Sequence, residues 1–180
     1  MKNTMLDLET YGERPGCVIL SIGAVLFDPD AGVLGEEFYT AVSLSSCLDH
    51  GLHLDPDTVK WWQRQSEEAR QVITDAQAPT ALSLPLACQA FSGWLDLHSV
   101  ARDDRSVWGN GASFDQPILT EAYRVCGVER PWMFWNDECY RTIKKRRPLI
   151  KMEKSGVQHN ALADAKQQAL HLIKLLQDIK

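Results

Sequence analysis

The first 42 residues alternate between apolar runs and turn-forming residues, a pattern that predicts three consecutive strands. Residues 17–27 are almost entirely apolar, which is typical of a strand buried on both faces. Residues 28–32 contain Asp, Pro and Gly, which favour turns, so the chain is expected to return as a strand over residues 33–42. With a first strand over residues 3–9, the short connections predict antiparallel pairing of all three strands.

The rest of the chain carries mainly helical patterns, with two short strand signals between them. An antiparallel start followed by strand–helix alternation predicts an α/β fold with a mixed five-stranded sheet flanked by helices. The length of 180 residues and the hydrophobic share of 44% suit a single domain over residues 1–180. The later strands are predicted at residues 106–109 and 132–136, a loop at 77–85, and helices at about 55–62, from 66 onward, and at about 84–97, 113–126, 137–146 and 160–179.

The last of these helices is amphipathic and begins at a capping residue. Asn160 is expected to be its N-cap, because an asparagine side chain accepts hydrogen bonds from the exposed N–H groups of a first helical turn. Small and aliphatic side chains recur at helical spacing, so this stripe is expected to be buried. The stripe comprises Ala161, Ala165, Ala169, Leu172 and Leu176.

Two acidic residues interrupt the first apolar strand. Leu6 and Leu8 are expected to face one side of the sheet, and Met5, Asp7 and Glu9 the other, because strand side chains alternate. Two carboxylates roughly 7 Å apart on one face repel each other, and burying them without a partner is costly. A cation would neutralise them, and carboxylate oxygens suit hard divalent ions such as Mg²⁺ or Mn²⁺.

Three further residues extend this pattern at the starts of predicted helices. They are Asp115, His159 and Asp164. Each has an ordinary explanation: Asp115 could cap its helix, Asp164 could complement the helix dipole, and His159 could be a surface loop residue. The sequence nevertheless favours their convergence with the two acids of the first strand, because strand and helix termini in such folds meet where sites are found.

The formal net charge of −5 argues against a long footprint on duplex nucleic acid. The basic residues are unevenly distributed, however, and seven of the 19 Lys and Arg residues fall between Arg141 and Lys154. Such a run is either a solvated face or a contact for a phosphate backbone. Five scattered cysteines without a paired motif favour reduced thiols in the cytoplasm, and no apolar stretch reaches the roughly 20 residues of a membrane span.

In their order and spacing, these clusters resemble the motifs of the DEDDh branch of the 3′→5′ exonuclease superfamily, which has a ribonuclease H-like fold. The matching stretches are Asp7-Leu8-Glu9, Asn110 to Phe114-Asp115, and His159 to Asp164. Further features are similar to a compact bacterial and phage-borne group that is associated with RNA 3′-end trimming. These features are the segment from Leu6 to Gly12, the segment from Val18 to Ala24, and the pair Trp61-Trp62.

This resemblance implies a metal-dependent exonuclease that releases nucleoside 5′-monophosphates from single-stranded 3′ ends of RNA or DNA, with RNA slightly favoured. It implies two divalent ions, Mg²⁺ or Mn²⁺, held by Asp7, Glu9, Asp115 and Asp164, with His159 as the general base. Small relatives often form homodimers, so the resemblance also implies a homodimer as one possible oligomeric state. The expected nucleic-acid contacts are Thr10, Tyr11, Gly12, Trp61, Asn110, Phe114, Lys144, Lys145, Arg146 and Arg147.

Two other functions remain open at the level of sequence: an inactive nucleic-acid-binding subunit of the same fold, and a phosphodiesterase of small nucleotides. The intact acidic set argues against the first, because a pure binder has no need of a self-repelling cluster. The basic run argues against the second. For Trp61, Trp62 and Trp108, stacking on bases competes with packing in the core or in a dimer.

Overall fold

The computed structural model describes residues 1–153 and 159–178 of the chain. The strands within these ranges are β1 (Asn3–Thr10), β2 (Ile19–Asp28), β3 (Val33–Ala41), β4 (Ser106–Gly109) and β5 (Asp137–Cys139). The helices are α1 (Leu44–Asp49), α2 (Pro56–Gln63), α3 (Glu67–Gln77), α4 (Leu84–His98), α5 (Asp115–Val125), α6 (Tyr140–Arg146) and α7 (Ala161–Gln177). None of the helices in the described ranges is long and apolar enough to cross a membrane.

The five strands form one mixed sheet in the order β3-β2-β1-β4-β5. β1 pairs antiparallel with β2, and β2 antiparallel with β3, as the turn signals between them predict. β1 pairs parallel with β4, and β4 parallel with β5, because helices carry the chain back to the same end of the sheet. This topology confirms the predicted α/β fold, and it makes β1 the central strand.

Two hydrophobic cores lie on opposite faces of the sheet, and the alternation of β1 divides its residues between them. Leu6 and Leu8 belong to the larger core, together with apolar side chains of α3, α4 and α5. Met5 belongs to the smaller core, to which α6 and α7 contribute. Asp7 and Glu9 continue the alternation of Met5, so β1 directs their side chains toward the face that α7 covers.

The predicted location of the fifth strand, residues 132–136, is wrong. The strand is formed by Asp137–Cys139, and a 3₁₀ turn precedes it. The aromatic residues of the stretch suggested a buried strand, but Phe134 and Trp135 are 68% and 59% exposed. Trp132 is buried instead, and its Nε1 donates a hydrogen bond at 2.7 Å to Oδ1 of the first strand residue. The aromatic signal therefore reflects an anchored turn.

Other differences concern the ends of elements. The helix predicted over residues 137–146 begins at Tyr140, and the sequence pattern does not predict α1, whose six residues are too few to reveal a helical period. Asn160 is the N-cap of α7 as predicted, and its Oδ1 accepts a backbone hydrogen bond at 3.0 Å. The buried stripe of α7 ends at Leu175, whereas Leu176 is only partly buried.

The first turn of α7 packs directly on β2 at Gly23. A β-carbon at this position would overlap the backbone of Ala161 and Leu162, so glycine is required for so close an approach. Gly23 is also the partner of Asp7 in the β1–β2 ladder. The contact therefore brings the start of α7, with Asp164, next to the acids of β1.

We expect Gly23→Ala to destabilise the protein by about 1–3 kcal/mol, the usual cost of forcing an extra methyl group into a packed interior. The free energy of unfolding from urea denaturation measures this effect. Gly93→Ala in α4 is the matched control, because an added β-carbon there meets no atom within 4 Å. That control should be neutral or stabilising by about 0.5–1 kcal/mol. Equal stability of Gly23→Ala and the wild type would contradict the close packing of α7 on β2.

Candidate active site

Four acidic side chains meet where β1, α5 and α7 come together. Asp7 and Glu9 lie on β1, Asp115 is the first residue of α5, and Asp164 lies in the first turn of α7. Asp7, Glu9 and Asp164 line a cleft of about 680 Å³, and the almost fully buried Asp115 adjoins them. The structure thus brings together the four acids that the sequence pattern groups.

Asp115 is fixed by two backbone hydrogen bonds from neighbouring elements. Its Oδ1 accepts from the N–H of Leu8 on β1 at 3.2 Å, and its Oδ2 accepts from the N–H of Asn110 at 2.9 Å. Phe114, and not Asp115, is the N-cap residue of α5. The capping alternative for Asp115 is therefore wrong, and its carboxylate instead ties the start of α5 to the central strand.

His159 lies beside Glu9 and Asp164 in the wall of the cleft. One potential ligand atom of each of these three residues lies within 4.8 Å of the other two. His159 has a φ of 64°, which is uncommon for a residue other than glycine. Its backbone N–H donates a hydrogen bond to Oδ2 of Asp164 at 3.1 Å. This bond fastens the histidine to the first turn of α7.

Two tryptophans of α2 pack against the imidazole ring of His159. Its ring centroid lies 4.9 Å from that of Trp61 and 6.0 Å from that of Trp62, both in edge-to-face geometry. Trp62 is buried, and its Nε1 donates to the carbonyl oxygen of Thr10 at 2.9 Å. Trp61 is 37% exposed and lines the cleft. Trp62 is therefore a core residue, as is the buried Trp108, whereas Trp61 keeps exposed surface beside the acids.

Burial raises the pKa values of all four carboxyl groups, and repulsion from the other acids adds to the shift at Asp7 and Glu9. Burial raises the pKa of Glu9 to about 8, with repulsion from Asp164 and Asp115 as further causes. Burial raises the pKa of Asp115 to about 7, although its backbone hydrogen bonds oppose the shift. The pKa of Asp7 is raised well above its usual value by burial and then by the other three acids. Burial also raises the pKa of Asp164.

A glutamine that the sequence analysis does not single out also reaches this cluster. Gln168 lies one turn after Asp164 on α7 and is 5% exposed, and its Nε2 donates to Oδ1 of Asp7 at 2.8 Å. Its Oε1 is buried without a hydrogen-bond partner among the described residues. The signal that could have revealed it is its spacing, since residues i and i+4 share one face of a helix.

Six of the predicted nucleic-acid contacts line the cleft, and Tyr11 does not. Tyr11 is buried, and its backbone is already paired: its N–H donates to the carbonyl of Val18 at 2.9 Å, and its carbonyl accepts from Asp55 at 2.7 Å. Tyr11 therefore stabilises the loop after β1, and its neighbours Thr10 and Gly12 line the cleft. The lining residues of the predicted set are Thr10, Gly12, Trp61, Asn110, Phe114 and Lys144.

Of the predicted basic contacts on α6 and just after it, one lines the cleft and the others do not. Lys144 lines the cleft, and its Nζ lies 5.4 Å from the centroid of the Tyr140 ring. Lys145 and Arg146 are exposed and are not among the described residues that line the cleft. Arg147 also lies outside the cleft lining, with its Nε 3.7 Å from Oδ2 of Asp178. Of the rest of the basic run, Arg141 and Lys151 are exposed, and Lys154 lies outside the described residues.

Additional acids that the sequence analysis overlooks line the cleft near the loop after β1. They are Glu13, Asp55 and Asp57. Asp55 is the N-cap of α2, where its Oδ1 accepts the N–H of Asp57 at 2.8 Å. Its backbone contact with Tyr11 holds it next to Gly12. This part of the cleft is therefore negative in its own right.

The donor set at the junction fits hard divalent ions. The acids supply carboxylate oxygens, and His159 adds one imidazole, whereas no cysteine lines the cleft within the described residues. The raised pKa values mean that the protein alone leaves negative charge uncompensated. A bound cation would favour the ionised carboxylates and remove that penalty.

A mixed sheet of this order, with acids from β1, α5 and α7 converging beside a histidine, matches the ribonuclease H-like fold of DEDDh exonucleases. Residues 2–176 match the family described as the 3′-5′ exoribonuclease Rv2179c-like domain, and the chain belongs to that family. The resemblance inferred from the three motifs is thereby confirmed, and so is the class of enzyme, a 3′-5′ exonuclease. DEDDh exonucleases use divalent metal ions, in agreement with the donor set.

Individual relatives agree with this assignment. An exodeoxyribonuclease of Enterobacteria phage T4 is 28% identical, and the match covers 79% of this chain and 70% of the relative. The nuclease domain of 3′hExo, a DEDDh family member bound to rAMP, matches with a TM-score of 0.65 at 15% identity over 98% of this chain and 92% of that one. A zinc-bound E. coli ExoI–ssDNA complex matches with a TM-score of 0.69 at 14% identity over 100% of this chain and 41% of that one. At such identities, the two structures support the fold alone.

We expect the metal-free protein to lose stability as the pH rises. An acid whose pKa is raised by folding ionises more easily in the unfolded chain, so its stabilising contribution is full below the unfolded pKa and is lost as the pH rises through the folded pKa. For Glu9 this window runs from its usual 4.5 to about 8, and for Asp115 from 3.8 to about 7. Urea denaturation in a chelating buffer should show a midpoint that falls steadily over this range.

Saturating Mg²⁺ provides the control for this pH series. Metal binding requires deprotonated carboxylates, so stability in the presence of the ion should rise with pH over the same range. The opposite slopes separate the acidic cluster from other titrating groups, which respond alike in both series. A metal-free midpoint that is constant or rises with pH would contradict the raised pKa values.

Proposed function

We propose that this chain is a two-metal 3′→5′ exonuclease that removes nucleoside 5′-monophosphates one at a time from single-stranded 3′ ends, with RNA favoured over DNA. The observation that carries this proposal is the convergence of four acids and His159 at an open cleft. The description of the family supports RNA as the substrate, and the name of the T4 relative supports DNA as the competing substrate.

The four carboxylates are the groups that would hold the ions, Mg²⁺ or Mn²⁺. Asp7 interacts with each of the other three acids, so it would help to hold both ions. Glu9 and Asp164, which lie together beside His159, would hold the ion next to the attacking water. Asp115 would hold the ion next to the leaving oxygen. Bound ions of this kind activate water and stabilise negative charge on the transferred phosphoryl group and the leaving oxygen.

His159 supplies the imidazole in this wall, and histidine is the side chain that most often serves as a general base in enzymes. Its ring lies beside Glu9 and Asp164, and the edge-to-face contact with Trp61 restricts its orientation. We assign it to remove the proton of the attacking water as the new P–O bond forms. The bond from phosphorus to the upstream 3′ oxygen then breaks, that oxygen takes up a proton from solvent, and the phosphate departs on the 5′ oxygen of the terminal nucleoside.

The terminal nucleotide is proposed to lie between the loop after β1 and the start of α5. The Oγ1 of Thr10 donates to the carbonyl of Gly12 at 2.6 Å, which stiffens the loop that would meet the terminal ribose. Phe114 and Trp61 offer aromatic surface in the cleft, and base stacking on such surfaces tolerates any sequence. Lys144 would contact a phosphate.

Two further expectations belong to this proposal. Lys145, Arg146 and Arg147 lie on or just after α6, and we propose that they attract the approaching strand at longer range without entering the cleft.

Asn110, which lines the cleft and borders Asp115, is proposed as a polar contact to the nucleotide. Homodimerisation stays a prediction, and light scattering in solution measures it directly.

We expect His159→Asn to lower the turnover rate by roughly 10²–10⁴-fold, the range typical of a lost general base. Binding of Mn²⁺ should be largely retained, because the carboxylates remain. Initial rates on a single-stranded oligonucleotide and calorimetric titration with Mn²⁺ measure the two effects. His98→Asn in α4 is the control for a histidine change outside the cleft. Loss of metal binding with an unchanged rate per bound ion would instead make His159 a ligand.

Polarity provides the sharpest test of the proposed function. We expect a 5′-labelled oligonucleotide to shorten in single steps, and its 3′-phosphorylated twin to persist. The reason is electrostatic: a terminal phosphate would add two negative charges to a cleft lined by Glu9, Asp55 and Asp57. Gel analysis of the two labelled strands measures both rates.

The substrate panel distinguishes the remaining functions. RNA and DNA versions of the same strand establish the preferred sugar, and a frayed duplex tests the requirement for a single strand. A circular single strand is the control for internal cleavage, which we do not expect. Cleavage of the circle, or equal decay of the 3′-phosphorylated twin, would overturn the exonuclease assignment. Hydrolysis of a mononucleotide ester alone would point to a small-nucleotide phosphodiesterase.

A further inference from the structure

Gln168 is a buried amide at the centre of the acidic junction. It lies on α7 one helical turn after Asp164, so both side chains project from the same face of the helix. It is 5% exposed and lines the cleft. Its Nε2 lies 2.8 Å from Oδ1 of Asp7, the acid that interacts with all three of the others.

Chemistry determines which way this amide points. A carboxylate that binds a cation is ionised and can only accept hydrogen bonds, so in the metal-bound protein the group of Gln168 that faces Asp7 is the N–H donor, as it is in the structure. The amide oxygen then points away from that contact. Oε1 is buried and has no partner among the described residues, and a buried acceptor left unpaired carries a desolvation cost. A hydrogen-bond donor that is not part of the described protein, such as a water molecule, would satisfy Oε1.

The choice of glutamine fits a site that binds cations. A lysine at this position would compete with the ions for Asp7, and a glutamate would add another negative charge to the cluster. An apolar side chain would leave Oδ1 of Asp7 without this donor. The amide supplies a donor and an acceptor with no net charge, so it is compatible with the junction both before and after a cation binds.

We propose that Gln168 is a positioning residue of the metal site. Its Nε2 holds one oxygen of Asp7 and thereby sets the direction of the carboxylate, and its Oε1 accepts a hydrogen bond from water in the hydration shell of a bound divalent ion. Hard ions such as Mg²⁺ keep several water ligands, which are strong donors. This inference rests on the proposed metal-dependent function, and it adds to that function a residue outside the three sequence motifs.

Gln168→Met tests this role, because methionine has a similar length and no polar side-chain hydrogen-bond donor. Calorimetric titration of the full chain with Mn²⁺ should give a dissociation constant roughly 10–100-fold higher than that of the wild type, the usual effect of removing a residue that orients a metal ligand. A purely structural glutamine would instead lower the metal-free melting temperature and leave the dissociation constant unchanged.

The chain offers a matched control for the same chemistry. Gln71 on α3 also donates through Nε2 to an aspartate oxygen, Oδ1 of Asp75, at 2.9 Å, but on an exposed surface. Gln71→Met removes the same kind of bond from the same kind of element, so it should leave the Mn²⁺ dissociation constant at the wild-type value. Should Gln168→Met fail to fold, Gln168→Asn, which is too short to reach both partners, should show the same loss of affinity.

The outcomes separate this role from the function on which it rests. A wild-type protein that binds no Mn²⁺ would overturn the two-metal proposal and the role of Gln168 with it. A wild type that binds Mn²⁺ together with a folded Gln168→Met of equal affinity, within about threefold, would overturn the role of Gln168 alone. A selective loss of affinity in Gln168→Met, with Gln71→Met unchanged, supports the role.

Discussion

Mutual repulsion among four carboxylates on one side of the central strand is the constraint on which the rest of the structure depends. The fold offsets it with neutral donors at three of the acids. Asp115 accepts two backbone N–H groups, Asp164 accepts the N–H of His159, and Asp7 accepts the amide of Gln168. Glu9 has no hydrogen-bond donor among the described residues, and its pKa is raised to about 8. The protein therefore compensates the negative charge incompletely where Glu9 meets Asp164, and a cation bound there would neutralise it.

One helix carries much of this arrangement. The buried face of α7 presents Asp164, Gln168 and His171 on successive turns. The first two serve the acidic junction, whereas the Nδ1 of His171 lies 2.7 Å from the hydroxyl of Tyr140 at the start of α6. Because these side chains share one rigid element, their relative positions are set by helix geometry rather than by loops. The glycine of β2 that admits the first turn of α7 fixes how deeply that element sits against the sheet.

The features that could be predicted from sequence are those with a local signature. Burying acids that alternate with leucines in an apolar strand costs free energy unless they serve a site, so Asp7 and Glu9 could be identified as site residues from the sequence. The mixed sheet followed from turn residues and periodicity. The fifth strand did not, because three residues are too short for a period and the neighbouring aromatics belong to an anchored turn. The packing of Trp61 against the imidazole of His159 is likewise invisible in sequence, since it joins residues about 100 positions apart whose contact only the fold creates.

The acidic character of the chain bears on how it would hold nucleic acid. The formal net charge is −5, and two divalent ions would offset four of those charges. Within the described residues, the cleft has two basic side chains, Arg64 and Lys144, against additional acids near the loop after β1. Few phosphate contacts mean a small electrostatic share of affinity and a weak dependence on salt. Binding would then depend on the ions and on aromatic stacking, both of which act on the last nucleotides of a strand. A cleft built this way favours short engagement at an end over a long grip on the backbone, and that preference is what an exonuclease requires.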